Sequence, residues 1–111
     1  MNEQLMDIYT QLKQHDTNLS QRRFSTEYLE RSEAYLFSNN YYGRTVSKNA
    51  VIALYNNLKS IADTWATLYA ETRRERYRAN CALYEGLAAQ AQQLVFAEWN
   101  MCFYVKPYIA S

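Results

Sequence analysis

Apolar residues recur at helical spacing along almost the whole chain. Leu5, Ile8, Tyr9 and Leu12 fall at i, i+3, i+4 and i+7, so residues 3–14 predict an amphipathic helix ending near His15. The following stretch, QHDTNLSQ, is weakly periodic and rich in residues that favour caps and turns, which predicts a connection with Leu19 tucked inward. Phe24, Tyr28 and Leu29 make the apolar face of a short helix over 21–30, with Ser20 at its cap. Ser32 offers a second N-cap, with Glu33 in the first turn where a negative charge suits the helix dipole, so a third helix runs to Tyr42. Gly43 stands where a left-handed C-cap belongs.

Ser47 is the next cap. After it Val51, Leu54, Leu58, Ile61, Ala62, Trp65 and Leu68 form a seam sustained over five turns. The seam blurs over 71–80, ETRRERYRAN, and resumes with Cys81, Leu83, Tyr84, Leu87, Ala88, Ala91, Leu94, Val95 and Trp99. One straight helix over 48–104 would be about 85 Å long, more than twice the width of a domain this size. A bend or turn between 70 and 80 follows, giving either a long bent helix or a helical hairpin. Pro107 ends the helical pattern. The expected fold is all-α: one domain over 1–111, with residues 1–60 as an N-terminal bundle and 61–111 as a C-terminal helical extension that dimerises it.

Composition narrows the class. With 111 residues, two glycines and one proline, the chain has too few turn formers for a sandwich, a barrel or a βαβ series. A net charge of +1 provides no global field toward nucleic acid or an anionic membrane, so any such binding must come from local clusters. The polar start MNEQLMDIYTQLKQ lacks the basic and apolar regions of a signal peptide, and no run approaches the ~20 apolar residues of a membrane span. A cytoplasmic protein without membrane contact is expected. Cys81 and Cys102 are too far apart for metal-ligand spacing and read as small buried hydrophobes. His15, the single histidine, has no nucleophile motif beside it, and Gly43 and Gly86 are isolated, so no phosphate-cradling loop exists. The expectation is a non-enzyme without cofactor or metal.

Residues 21–58, QRRFSTEYLERSEAYLFSNNYYGRTVSKNAVIALYNNL, carry the order short helix, turn, short helix, glycine stop, cap and longer helix. This stretch resembles the lambda-repressor or Cro/C1-type helix-turn-helix domain. Gly43, Arg44, Val46, Ser47, Val51, Leu54 and Leu58 match the family's tail without a gap, with Val46 in place of its usual proline and Leu29-Glu30-Arg31 where it prefers a turn glycine. The resemblance implies that helix 33–42 enters the major groove of double-stranded DNA. Ser32, Ser38 and Asn39 would then read bases, Asn39 by a bidentate pair with adenine, while Arg22, Arg23, Arg31, Arg44 and Lys48 hold phosphates. Glu27, Glu30 and Glu33 offset these cations, leaving a local excess of two positive charges. On a helical wheel Ala34, Phe37 and Tyr41 cluster on the side expected to face inward. Tyr35, Leu36, Asn39 and Tyr42 lie on the other, an outer face that suits cover either by the C-terminal segment or by another chain.

Two further features stand apart. Arg73, Arg74, Arg76 and Arg78 form the densest cationic run, a candidate site for phosphate or an acidic partner or, in the plainer reading, a solvated face paired with Glu71 and Glu75. Tyrosine supplies eleven residues, and WNMCFYVKPYI at 99–109 is apolar on several sides, so Trp99, Phe103, Tyr104 and Tyr108 either pack back on the chain's own core or form a homodimer interface. Two functions follow: a small DNA-binding regulator of helix-turn-helix type acting as a homodimer, or a helical protein-protein interaction module on the same scaffold.

Overall fold

The structure, a computed structural model, describes residues 2–99, and every regular element among them is helical. The expectations for Cys102, Phe103, Tyr104, Pro107 and Tyr108 lie outside the described residues. Helix α1 spans Asn2–His15 and buries Leu5, Ile8, Tyr9 and Leu12, the stripe its spacing predicts. Leu19 is buried in the connection that follows. Helix α2, Gln21–Arg23, begins where the Ser20 hydroxyl accepts the Arg23 N–H at 3.1 Å and passes directly into a π turn, Phe24–Tyr28. There the Leu29 N–H reaches back five residues to the Phe24 carbonyl at 3.2 Å. Phe24, Ser25, Tyr28 and Leu29 all reach the core from this turn.

Glu30 ends the π turn in a left-handed conformation, φ 56°, and the Arg31 N–H closes on the Ser25 carbonyl at 2.9 Å. The amide of Asn57 holds this reversal from α4, donating to the Tyr28 carbonyl at 3.0 Å and to Glu30 Oε2 at 3.1 Å. Helix α3 is consequently shorter than its sequence suggests. It spans Tyr35–Tyr42, with Ala34 rather than Ser32 at its N-cap and no side-chain cap bond. Gly43 stops it as expected: at φ 67° its own N–H bonds the Asn40 carbonyl, and the Arg44 N–H bonds the Asn39 carbonyl at 2.8 Å.

Helix α4, Lys48–Thr72, opens on Ser47, whose Oγ accepts the Ala50 N–H at 3.2 Å. Helix α5 spans Glu75–Trp99, so the C-terminal extension is a hairpin rather than one long bent helix. Arg73 makes the reversal without a glycine, at φ 59°, with its N–H on the Tyr69 carbonyl at 2.7 Å. The Arg74 carbonyl then receives the Tyr77 and Arg78 N–H groups and starts α5. Ala50, Val51, Leu54, Leu58 and Ala62 of α4 and Tyr84, Leu87, Ala88, Ala91, Leu94 and Val95 of α5 form the central seam. Small Ala88 and Ala91 let the helices approach closely. Helix α1 lies antiparallel on α5, joined at the surface by the Gln11–Gln90 amide pair at 3.1 Å. Beyond Ala62 and before Tyr84 no residue is fully buried, so this part of the hairpin stands clear of the rest, with Trp65, Leu68, Tyr69, Tyr77 and Cys81 half-buried. No described helix is long and apolar enough to cross a membrane.

Candidate interaction surface on helix α3

The wheel of α3 has the two faces its sequence predicts, but the roll of the helix is the reverse of the expected one. Leu36 and Asn39 point into the core at 1% and 5% exposure, whereas Phe37, Tyr41 and Tyr42 stand out at 67%, 72% and 63%. A tether accompanies this roll: the Tyr35 hydroxyl accepts the Ser47 N–H at 2.9 Å, which joins the first residue of α3 to the start of α4 on the side that turns Leu36 and Asn39 inward. Arg31 reinforces the tether, donating to Ser47 Oγ at 3.4 Å with its guanidinium 6.0 Å from the Tyr35 ring centre. Burial alone would raise the Tyr35 pKa, but the Ser47 donors, the Asn39 amide and the Arg31 charge together hold it below its ordinary value.

This geometry corrects the role expected of Asn39. A side chain at 5% exposure cannot reach the edge of a base, and Asn39 is a core residue here. Its amide influences the Tyr35 hydroxyl, yet no acceptor completes a hydrogen bond to the buried Nδ2. Leaving such a donor unpaired costs roughly 1–3 kcal/mol. Asn39→Ala, which removes the donor without adding volume and favours the helix, is therefore expected to leave the thermal midpoint unchanged or raise it, read by circular dichroism; a clearly lowered midpoint would show that the amide is satisfied in solution.

On the outer face, the Phe37 and Tyr41 rings stack with centres 6.2 Å apart and planes 17° from parallel. Tyr42 meets Tyr41 edge to face at 4.9 Å, and the Arg44 guanidinium lies 4.7 Å from the Tyr42 ring centre. Shallow clefts flank this ridge. Gln21, Arg22, Glu33, Ala34 and Phe37 line one, and Ala34, Phe37, Ser38, Tyr41 and Tyr42 line the other. Three rings at about two-thirds exposure place on the order of 400 Å² of apolar surface in one patch. That equals the largest apolar patch of a typical monomer, which is often functional.

The expected phosphate contacts divide. Arg22 and Arg44 are exposed beside α3, and Lys48 is half-buried at the start of α4. Arg31 serves the Ser47 tether. Arg23 is engaged by its own chain, donating to both Glu27 oxygens at 2.9 and 3.1 Å and lying 3.8 Å from Asp16. Of the expected base readers other than Asn39, Ser32 is exposed and gives its carbonyl to the Tyr35 N–H, and Ser38 is half-buried. Arg73, Arg74, Arg76 and Arg78 are exposed at the hairpin tip, separated from α3 by the length of α4, about 37 Å, so the two arginine groups do not converge. Trp99 is half-buried against the chain's own core.

Among the described residues, His15 and Cys81 lie apart from each other. His15 is exposed and meets the Tyr84 ring edge-on at 5.6 Å. Burial and the nearby Glu85 and Asp63 carboxylates push the Cys81 thiol pKa up, only partly opposed by Lys59, which disfavours a thiolate. No three metal-ligating side chains converge among the described residues. The contacts that matter most for α3, Tyr35 with Ser47 and Asn57 with Tyr28 and Glu30, join residues 12 to 29 positions apart, and no local pattern announces them.

No curated protein and no solved structure matches the chain. A family model described as a family of unknown function (DUF6626) matches residues 5–101, nearly the whole length of the chain, which therefore belongs to the DUF6626 family.

Proposed function

We propose that the protein is a non-enzymatic helical interaction module, and that the aromatic ridge of α3 joins it to a second copy of itself. The single observation that carries this reading is the outward display of Phe37, Tyr41 and Tyr42 on one short helix. Water-facing aromatics of this number and proximity are stabilised by covering them, and a ridge flanked by clefts is self-complementary: under a two-fold axis the Phe37–Tyr41 ridge of each copy fills a cleft of the other. Charge agrees with this arrangement. Arg22 and Glu33 line the same cleft, so the cleft carries both signs of charge and does not repel a second copy. Sedimentation equilibrium of the wild type against Phe37→Ala/Tyr41→Ala tests the reading.

A second reading keeps the helix-turn-helix role, with duplex DNA as partner. It is favoured by the element order over 21–72 and by exposed Arg22 and Arg44 beside α3. With Asn39 in the core, recognition would fall to Ser32 and Ser38, and the aromatic ridge would lie against the groove. This reading predicts duplex binding that weakens steeply with salt and is reduced for all sequences alike by Arg44→Ala. Absence of duplex binding at low ionic strength would sink it.

A further inference from the structure

The tip of the α4–α5 hairpin shares no residue with the α3 ridge and carries the densest charge in the chain. Arg73, Arg74, Arg76 and Arg78 are all exposed there, and only Glu71 and Glu75 oppose them between positions 71 and 78. Glu75 is taken by Arg78 at 3.4 Å, a solvent-exposed pair. Arg73, Arg74 and Arg76 have no ion-pair partner among the described residues.

Two of these arginines are held by aromatic rings. The Arg73 guanidinium lies 5.7 Å from the Tyr69 ring centre, and that of Arg76 lies 5.1 Å from the Tyr77 centre while donating to its hydroxyl at 3.4 Å. Tyr77 in turn rests on Trp65, ring centres 5.3 Å apart. A guanidinium supported on one flat face keeps its N–H edge for bidentate contact with phosphate and offers its other face to a planar group. Lysine can do neither, and no lysine occurs between 71 and 78. A carboxylate-rich protein surface would use the charge and the fork but not the free flat face. A phosphodiester chain with unstacked bases uses the charge, the fork and the flat face together.

We propose that the hairpin tip is a binding surface for single-stranded nucleic acid, in which Arg73, Arg74 and Arg76 contact successive phosphates and the tyrosine-supported guanidiniums carry bases. The site is independent of the α3 reading. The left-handed turn at Arg73 sets its shape, because it brings the side chains at the end of α4 and the start of α5 to one end of the hairpin.

Fluorescence anisotropy of a labelled oligothymidylate with the full-length protein, across a salt series, tests the proposal. Three phosphate contacts at about −0.7 each predict a log-log slope near −2. Arg73→Gln/Arg74→Gln/Arg76→Gln should weaken binding at least tenfold and bring the slope close to zero. Replacing the same three by lysine should retain the slope and lose several-fold in affinity, since charge remains without fork or plane. Phe37→Ala/Tyr41→Ala should leave the slope unchanged whether or not it alters self-association, so failure of the α3 reading and failure of this one are distinguishable. The proposal is overturned by absence of binding at the lowest salt, by a glutamine variant that titrates like the wild type, or by a lysine variant of wild-type affinity. Competition by polyglutamate as effective as by the oligonucleotide would overturn it in favour of an acidic protein. Duplex binding that survives the glutamine changes would overturn it in favour of the α3 region.

Discussion

Phe24→Ala should destabilise the protein by about 3–5 kcal/mol, the usual range for emptying a buried phenylalanine site. For a domain of this length that lowers the thermal midpoint by on the order of 15 °C or more. The ring is fully buried, with the Tyr9 ring centre at 5.3 Å and the Tyr28 ring centre at 5.7 Å. Its surroundings cannot collapse easily into the space. The Phe24 carbonyl anchors the π turn by accepting the Leu29 N–H, Tyr9 is fixed through its hydroxyl to the Leu19 carbonyl at 3.2 Å, and Leu29 is itself fully buried. Total stability for such a chain is roughly 5–15 kcal/mol, so one substitution removes a large share of it. Urea unfolding followed by circular dichroism measures the loss. Phe24→Leu, which keeps most of the volume, should cost much less, and a loss under about 1.5 kcal/mol for the alanine variant would mean that the site repacks.

The second large effect concerns association and leaves stability nearly untouched. Covering the α3 ridge with its own copy buries about 800 Å² in all by the exposed area of its three rings, less than the ~1,200 Å² at which specific interfaces begin, so the flanking clefts must add to it and the equilibrium should lie in the upper micromolar range. Aromatics at the centre of a contact each contribute at least about 2 kcal/mol when truncated. Under two-fold symmetry each substitution counts twice, and Phe37→Ala/Tyr41→Ala should weaken the dimer by a hundredfold or more. The folded monomer should not suffer. Both side chains are about 70% exposed, and alanine is the best helix former at these positions. Sedimentation equilibrium separates the two quantities: a wild type that self-associates and a variant that remains at 13.1 kDa, with equal thermal midpoints. A wild type that stays monomeric across the whole micromolar range counts against the proposed function, as does a variant that dimerises as well as its parent.

How far each element could be read from the sequence follows from how local its causes are. The stripes of α1, α4 and α5 were legible because burial at i, i+3, i+4 and i+7 depends only on the helical repeat. Gly43 and Ser47 were legible because a left-handed C-cap and a hydroxyl N-cap are satisfied within a few residues. The break between 70 and 80 was required by length, but its place at Arg73 was not, since that residue takes a conformation that favours glycine. The start of α3 was misplaced for a related reason. Ser32 is a good cap in isolation, but the π turn before it consumes an extra residue and the chain reverses through Glu30 under the hold of Asn57.

The candidate surface was half legible. That α3 has one aromatic face built on Phe37 and Tyr41 and another containing Leu36 and Asn39 follows from a rotation of 100° per residue. Which of them meets solvent does not. The aromatic content argues for Phe37 and Tyr41 inside, yet the helix is rolled the other way, with the Tyr35 hydroxyl tethered to the Ser47 N–H and a polar amide in the core. The sequence by itself determined the helical class, the ends marked by Gly43 and Ser47, the apolar stripes of α4 and α5 and the clustering of arginines at 73–78, all of which rest on patterns within a few residues. Only the tertiary structure decided that the C-terminal part folds as a hairpin, that α3 turns its aromatics outward and that the arginine tip lies a helix length away. These depend on contacts between residues distant in the chain, where the free energy of one hydrogen bond or one buried ring outweighs the preferences of any local pattern.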